Sequence, residues 1–585
     1  MRLLADEARP FVSGDRADSF GPGSGLSVEF VPAPDGLGWR IALVNDGPLD
    51  ARVRACGLVV PLETHGPVRL FSNGYQSWSP TGLRTLGIDR DPSQAEDSFE
   101  LFCAAHHADQ RPAVGDELRS EMVMVLADER PEIVLVGWLG GELHDGTFRV
   151  RTGSSGVELV IEAFLGGVVV PAGSRRQLHS VSIAVGSAGQ HGELLDRWAT
   201  DLGRASTARA AAPFQVGWCS WYHYFADIDE RALDSNLELG SHWPFEVFQL
   251  DDGYQTHIGD WLGTNGSFSS DLPSIAARIR AAGRRPGIWL APFLAHPGSN
   301  VHRRHPEWIA RMPNDPDAPV PGMINDIWDG VVNVLDTSNP EVLEHLESVA
   351  AELVGAGFTY LKLDFTYAPS FDGRYADSTL TPAQRVRAGY DAIRRGAGEE
   401  TFILGCGAPL GACVGAVDGM RIGPDVAPSW EIPEHHWHPS GYRSTAPATR
   451  NAWQSTLARS FMHRRLWLND PDCVMLRTEA TDMTPDAVHA WALAVAASGG
   501  MVLVSDDLAL LDDSARALLD EVIAVGREVD AASTRGAAPT CPDLLLDVPL
   551  ATMLAGPYRL SGDPTVGIAE LRRHGDLRMP GPAPR

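Results

Sequence analysis

The chain has 585 residues, 44% of them apolar and 21% charged, and 76 acids against 48 bases leave a net charge of −28. That length exceeds what a single core supports, so two or three domains are expected, and the composition is that of a globular enzyme rather than a disordered chain. The acidic balance argues against nucleic acid and against anionic membrane surfaces, both of which need a positive footprint, and it leaves neutral or cationic small substrates open.

No run of the sequence approaches the roughly 18 apolar residues a membrane span needs. The N-terminus, Met1-Arg2-Leu3-Leu4-Ala5-Asp6-Glu7, is charged and lacks an apolar h-region. A cytoplasmic protein is therefore expected. The seven cysteines are odd in number and contain no CxxC pair, which fits reduced thiols better than a disulfide framework. The one metal-like cluster, Glu434-His435-His436-Trp437-His438, lacks partner ligands at a recognisable spacing, so no metal is expected. All but one of the basic side chains are arginines; the single lysine is Lys362. A lysine kept among so many arginines points to a place that needs a compact ammonium rather than a planar fork.

Residues 1 to about 205 read as β structure. Alternating apolar runs over 26–31, 39–44, 121–126, 132–138 and 157–162 are separated by Gly, Pro, Asp and Asn. That spacing predicts a β-sandwich of antiparallel sheets. A helix over 193–202 and an Ala-rich linker over 205–213 follow.

From Phe214 the pattern changes. Eight apolar runs, at 214–221, 245–252, 285–293, 359–365, 401–407, 419–425, 466–472 and 500–507, alternate with helical segments such as 229–239, 272–282, 340–356, 382–396 and 485–497. Eight buried strands with helical crossovers predict a (β/α)8 TIM barrel over 206–525. The link between the fifth and sixth runs is short, so its helix must be small. Residues 426–465 read as an insertion. After about 525 the stretches 544–548 and 551–571 suggest a small C-terminal β domain over 526–585, with a loose Pro/Gly-rich tail over 579–585. There is no fixed-period repeat, P-loop, dinucleotide fingerprint or GxSxG elbow.

Each run of the barrel turns polar or aromatic at its C-terminal end. The ends carry Trp221, Asp251 with Asp252, Trp289, Asp364, Cys406, Asp425, Asn469-Asp470 with Asp472, and Ser505-Asp506-Asp507. A barrel gathers all of these on the face where barrel enzymes keep their active sites. Paired carboxylates within aromatic walls suit sugar chemistry, one attacking the anomeric carbon and the other protonating the leaving oxygen. Asp364 is the nucleophile candidate. Strand alternation puts Lys362 on its side, where an ammonium keeps it ionised, unless the two form only a structural ion pair. Asp425 is the acid candidate, because strands four and six face each other across part of the mouth. Arg421 either binds a hydroxyl or pairs with an acid. Asp251 and Asp252 either accept from sugar hydroxyls or form a solvated acidic loop.

Taken together, the motifs at these strand ends resemble glycoside hydrolase family 36, the bacterial α-galactosidase type within the melibiase clan. They are Gly217-Trp218-Cys219-Ser220-Trp221-Tyr222, Phe248-Gln249-Leu250-Asp251-Asp252-Gly253-Tyr254, Ile258-Gly259-Asp260-Trp261 and Pro286-Gly287-Ile288-Trp289. Cys406-Gly407, Arg421-Ile422-Gly423-Pro424-Asp425 and Asn469-Asp470-Pro471-Asp472-Cys473 continue the match, with a thinner one at Asn73-Gly74-Tyr75-Gln76-Ser77-Trp78. The resemblance implies an N-terminal β-sandwich, a catalytic barrel and a C-terminal β domain. It implies a retaining mechanism with no metal or organic cofactor, Asp364 as nucleophile and Asp425 as acid/base, with carboxyl groups about 5–5.5 Å apart. It further implies that Asp251, Asp252, Lys362, Cys406 and Arg421 bind galactose hydroxyls. The resemblance likewise implies that Trp221, Tyr222 and Trp289 shape the pocket and that Trp78 reaches it from the N-terminal domain. The context Lys362-Leu363-Asp364-Phe365-Thr366-Tyr367 departs from the family's common Lys-Trp-Asp-Met-Asn form. The expected activity is exo-acting hydrolysis of α-galactoside oligosaccharides, in a chain that is a possible homo-oligomer. The alternatives are another α-glycosidase of the clan, acting on α-N-acetylgalactosaminides or α-glucosides, a galactosyl transferase, or a sugar-binding protein on a dead barrel.

Overall fold

A computed structural model describes residues 1–14, 25–32, 38–94, 106–154, 156–432 and 446–537, together with the strands Thr552–Ala555 and Tyr558–Ser561. The metal-like patch at 434–438, the expected strand at 544–548 and the tail at 579–585 lie outside the described residues, as do Cys103 and Cys541. The other five cysteines are buried free thiols.

Residues 1–187 build two antiparallel sheets. At the centre of the first, Ala51–Glu63 pairs with Gly156–Val170, placing Cys56 opposite Ala163 and Val60 opposite Leu159. The second sheet is built around Glu132–Trp138, which pairs with Val181–Ser187 on one side and Val123–Ala127 on the other. Every second residue of these strands enters one shared core: Ile41 and Leu43, Cys56, Leu58 and Val60, Met124 and Leu126, Val134 and Val136, Leu159 and Ile161. Period-two burial of this kind is what packs two sheets face to face. The alternate residues Val123, Val125, Ile133 and Leu135 are also buried, on the far face of the second sheet. The helix His191–Ala205 covers that face with Leu194, Leu195, Trp198 and Leu202, and Trp198 Nε1 donates to the Trp138 carbonyl at 3.0 Å. Burial on both faces leaves little alternation between inner and outer residues in Val123–Ala127 and Glu132–Trp138.

One expected strand is divided. Residues 121–126 are split by Met122, whose φ of 66° breaks the extended backbone. Leu118–Glu121 pairs within the first sheet and Val123–Ala127 within the second, so the chain crosses between layers at Met122. Hydropathy does not register a change of sheet, since both halves are buried.

The eight barrel strands are β1 (Val216–Cys219), β2 (Val247–Leu250), β3 (Arg285–Leu290), β4 (Tyr360–Leu363), β5 (Phe402–Gly405), β6 (Gly419–Arg421), β7 (Leu468–Asp470) and β8 (Val502–Val504). They form one parallel sheet in the order β7-β6-β5-β4-β3-β2-β1-β8. The barrel is nearly closed. Between β7 and β8 single bonds replace a ladder, Met501 N–H to the Asn469 carbonyl at 2.9 Å and Val474 N–H to the Leu503 carbonyl at 2.7 Å.

Local chemistry starts the crossover helices. Asp229, Asp271, Asn339, Thr381 and Thr484 each accept a backbone N–H at a helix N-terminus, and Thr381 with Gln384 forms a reciprocal capping box. Proline occupies the first turn of the last four of these helices. The fifth and sixth strands are joined through the short helix Leu410–Cys413. The last helix, Asp513–Thr534, packs on the barrel, so the expected boundary at 525 falls inside a helix. No described helix is long and apolar enough to cross a membrane.

Between β3 and β4 lies an excursion that sequence periodicity does not reveal. Leu294–Ala295, Gly330–Val334 and Pro321–Asn325 form a three-stranded antiparallel sheet whose hairpin carries Trp328.

Candidate active site

The strand ends converge on a buried group of charges. Lys362 Nζ stands 2.9 Å from Asp251 Oδ2 and 3.9 Å from Asp364 Oδ2. Its nearest partner is thus Asp251, across β3, and Asp364 is the second. Burial opposes the ammonium charge, but Asp251 and Asp364 outweigh it and hold Lys362 well above the ordinary lysine value.

Asp364 follows β4 directly. Its Oδ2 accepts from Trp289 Nε1 at 3.0 Å and its Oδ1 from the Phe365 N–H at 2.8 Å. Phe365 holds a φ of 52°, in the left-handed region that only Gly enters freely. That conformation turns its N–H back onto the carboxylate. Two donors and an ammonium thus surround Asp364.

Asp251 accepts from Lys362, Gln249 Nε2 and, at 3.4 Å, the Cys219 thiol, while its Oδ1 accepts the Asp252 N–H at 3.0 Å. Asp252 accepts from Gln255 Nε2 at 2.5 Å and from Trp328 Nε1 at 2.8 Å. Burial pushes Asp252 up to about 6 against the pull of those two donors. Neither residue is a solvated loop acid: they are 2% and 3% exposed.

On the other side, Arg421 at the end of β6 holds three carboxylates. Its Nη1 donates to Asp425 Oδ1 at 3.0 Å, Nε to Asp470 Oδ2 at 3.0 Å, and Nη2 lies 2.8 Å from Asp472 Oδ1. Arg421 therefore pairs with acids. Asp472 also accepts from the Tyr222 hydroxyl and from the Val426 N–H at 2.9 Å. The Asp425 side chain keeps 32% of its surface open at the mouth. Enclosure by the surrounding protein raises it above the ordinary carboxylate value; Arg421 opposes the rise and the negative charge of Asp364 adds to it. The charge of Asp364 thus reaches Asp425, and a carboxyl group raised beside another carboxylate is suited to holding a proton.

Aromatic rings line the space around Asp364. Trp289 lies 5.8 Å from Trp261 and 6.1 Å from Trp328; Phe365 lies 4.9 Å from Trp328 and 5.0 Å from Trp78. Trp78 enters from the second N-terminal sheet. Its segment is joined to the loop after β5, where Ser77 N–H donates to the Ala408 carbonyl at 3.1 Å and Ala408 N–H to Ser77 Oγ at 3.0 Å. Cys406, fully buried after β5, is pushed well above the usual thiol value by burial and then by Asp364. Trp221 is half-buried and packs edge-on against Phe225 at 5.3 Å.

Of the residues expected at the site, Asp251, Asp252, Trp289, Lys362 and Asp364 are joined directly or through one partner. Tyr222 and Arg421 are joined through Asp472, and Asp425 through Arg421. Trp78 enters through Phe365, and Trp221 stands at the rim. Asp506, also at a strand end, is taken up by Arg477 at 2.6 Å. Sequence reasoning missed Trp328, Gln249 and Gln255. Trp328 had one legible signal, the Asn325-Asp326-Ile327-Trp328-Asp329-Gly330 turn between apolar flanks. Among the described residues no group of three or more His, Cys, Asp or Glu side chains could hold a metal ion.

Residues 207–370 match the family model named Melibiase. The chain is 24% identical over 196 residues to α-galactosidase AgaA of Geobacillus stearothermophilus, a match covering 32% of this chain and 25% of that protein. It thus spans about a quarter of the length of that curated relative. Among solved structures it is similar to the α-galactosidase TtGalA from Thermus thermophilus in complex with stachyose. The TM-score is 0.67 at 26% identity, over 85% of this chain and 99% of that one. The fold is also shared with the crystal structure of the family 36 enzyme AgaA, with a TM-score of 0.60 at 14% identity over 90% of this chain and 73% of that one. The family-model match spans barrel strands β1 to β4, the solved structures match most of the chain, and the chain is thus similar to the α-galactosidases of glycoside hydrolase family 36.

Proposed function

We propose that the chain is a retaining exo-α-galactosidase that removes terminal α-linked galactose from oligosaccharides by double displacement. The observation that carries this reading is the contrast between two carboxyl groups at one barrel mouth. Asp364 is surrounded by the Trp289 and Phe365 N–H groups and by Lys362, an environment suited to a carboxylate nucleophile. Asp425 is raised by enclosure and by Asp364, which suits a proton donor. Asp364 attacks C1 while Asp425 protonates the leaving oxygen; Asp425 then takes a proton from water, which displaces the sugar from Asp364. Atoms and charges balance without a metal or organic cofactor.

Asp251, Asp252 and Lys362 are assigned to the galactose hydroxyls, and Trp289, Tyr222, Trp221 and Trp78 to the walls of the pocket. Arg421 orients Asp425 and leaves Cys406 facing the 2-position with it. The substrate class is supported by a relative: TtGalA has been solved with stachyose and with p-nitrophenyl α-D-galactopyranoside. We further propose an N-terminal sandwich over 1–205, a barrel that continues through the helix ending at Thr534, and a C-terminal β domain beyond it. Cytoplasmic placement and a homo-oligomeric state belong to the same reading.

Asp364→Ala is expected to abolish turnover, with azide restoring it as a glycosyl azide of inverted configuration. Unchanged turnover in that variant would sink the assignment. Rates on matched nitrophenyl α-galactoside, α-glucoside and α-N-acetylgalactosaminide decide the sugar. A dominant galactoside rate supports the reading, and preference for another sugar keeps the chemistry but overturns the pocket assignment. Silence on all three, with galactose still bound, is the result that the dead-barrel alternative expects.

A further inference from the structure

Arg459 caps the C-terminus of the helix Thr449–Ala458, in the connection between β6 and β7. Its side chain is 0% exposed. Nε donates to Asn73 Oδ1 at 2.9 Å, and Nη1 to the carbonyls of Ser77 at 2.7 Å and Ile422 at 3.0 Å. Nη2 donates to the carbonyls of Ser79 at 3.1 Å, Gly74 at 3.4 Å and Gln76 at 3.5 Å. Five of these six acceptors belong to segment 73–79 of the N-terminal sheets, the segment that carries Trp78. The sixth is the residue after Arg421.

Among the described residues no carboxylate pairs with Arg459. A buried cation without a counter-charge is a costly way to join two packed units, and apolar side chains would do it better. What the guanidinium supplies is a planar set of donors that gathers several inward-turned carbonyls at once. Segment 73–79 has left its sheet, since the strand Arg69–Ser72 ends just before it, and so its carbonyls need such donors. The segment's other side is bonded to the loop after β5, including Leu410 N–H to the Tyr75 carbonyl at 3.0 Å. There is no slack where it meets that loop: a Cβ on Gly407 would stand 2.9 Å from Trp78 Cη2.

We propose that Arg459 is a positioning residue of the active site: it fixes the height of Trp78 over the Asp364–Phe365 corner, and through Trp78 sets how firmly the sugar is held, without touching substrate. This rests on the glycosidase reading of the mouth. A merely structural clamp between two units would leave Trp78 irrelevant to its effect, and that separates the two roles.

The experiment compares the full chain with Arg459→Lys, Arg459→Met, Trp78→Ala and the two double variants. Hydrogen exchange and Michaelis kinetics on nitrophenyl α-galactoside are the readouts. In the Arg459 variants the amides of Ser77 and Leu410 are expected to lose protection by about tenfold or more, while amides of strand Val123–Ala127 keep theirs. kcat/KM is expected to fall about 10- to 100-fold, chiefly through KM, as for a displaced positioning group. Each double variant is expected to be no worse than Trp78→Ala alone, the mark of two residues acting as one. Unchanged Ser77 protection, or losses that multiply in the double variants, would overturn the proposal. If neither Arg459 variant folds, Asn73→Ala removes the Nε acceptor alone. It must loosen Ser77 and raise KM, and failure to do either overturns the proposal as well. A wild-type chain that is inactive on every glycoside would overturn the glycosidase reading, whereas Ser77 exchange still reports on the clamp itself.

Discussion

A carboxyl group buried beside a second one is hard to ionise, and Asp252, pushed up to about 6, shows how its donors limit that effect. The Trp328 N–H stabilises the charged form, so its removal must raise Asp252 further. Trp328→Phe keeps the ring and loses the donor. We expect the acidic limb of kcat/KM to move to higher pH, and activity at pH 6 to fall about tenfold. A pH–rate profile checks both, and an unmoved limb would mean that Asp252 does not act as an anion. Asp425→Asn leaves a side chain of the same shape with no proton to give. Turnover should fall by about 10²- to 10⁴-fold, most for substrates with poor leaving groups, as measured by comparing nitrophenyl and alkyl galactosides. At this scale the sequence was informative where strand ends place residues: Asp251, Asp252, Trp289, Lys362 and Asp364 all reach one cluster. It was uninformative about pairing. Lys362 was expected beside Asp364, two residues away on its own strand, yet a parallel sheet also brings it to Asp251, and that shorter contact depends on strand order and tilt. Trp328 was out of reach because it arrives on an excursion with no barrel periodicity.

The elements were legible where a local cap and a buried run coincide. The helices Pro340–Ala356 and Pro485–Ala497 have the bounds expected for the segments 340–356 and 485–497, and Asn339 and Thr484 cap them. The capping box at Thr381 offers a direct test: Thr381→Ala should cost about 1 kcal/mol in chemical denaturation while leaving kcat unchanged, since the residue lies at the start of a helix and not at the mouth. Strands were less legible. Ala51–Glu63, the partner of Gly156–Val170 in the first sheet, was not recognised, because its inward face changes phase between Val53 and Cys56 and because it carries Arg52, Arg54 and Pro61. Those residues are accommodated by specific partners: Arg54 bonds Asp109 at 2.7 Å and Asp372 at 3.1 Å, and Pro61 sits opposite Glu158. Pattern alone does not carry such compensation. The split at Met122 has the same origin, since a left-handed residue between two buried runs leaves no mark on hydropathy.

At the scale of the whole molecule, a segment from the antiparallel sheets packs against the barrel mouth, so the two units are joined as one body beside the candidate site. The net charge of −28 sets how that body responds to its medium. Self-repulsion opposes compactness and salt screens it, so the melting temperature should rise from about 10 mM to 150 mM salt, by scanning calorimetry at pH 7. A fall over that range would mean that the ion pairs, such as Arg149 with Glu162 at 2.6 Å, outweigh the repulsion. The charge inventory has a practical side as well. The one ε-amine in 585 residues is 4% exposed and held protonated between two carboxylates. Reagents that grip enzymes through lysines, from succinimidyl esters to aldehyde-activated beads, therefore find no side-chain handle on this chain. Carbodiimide coupling through its many surface acids is the route to immobilising it, provided a sugar occupies the mouth to shield the acids proposed for the chemistry.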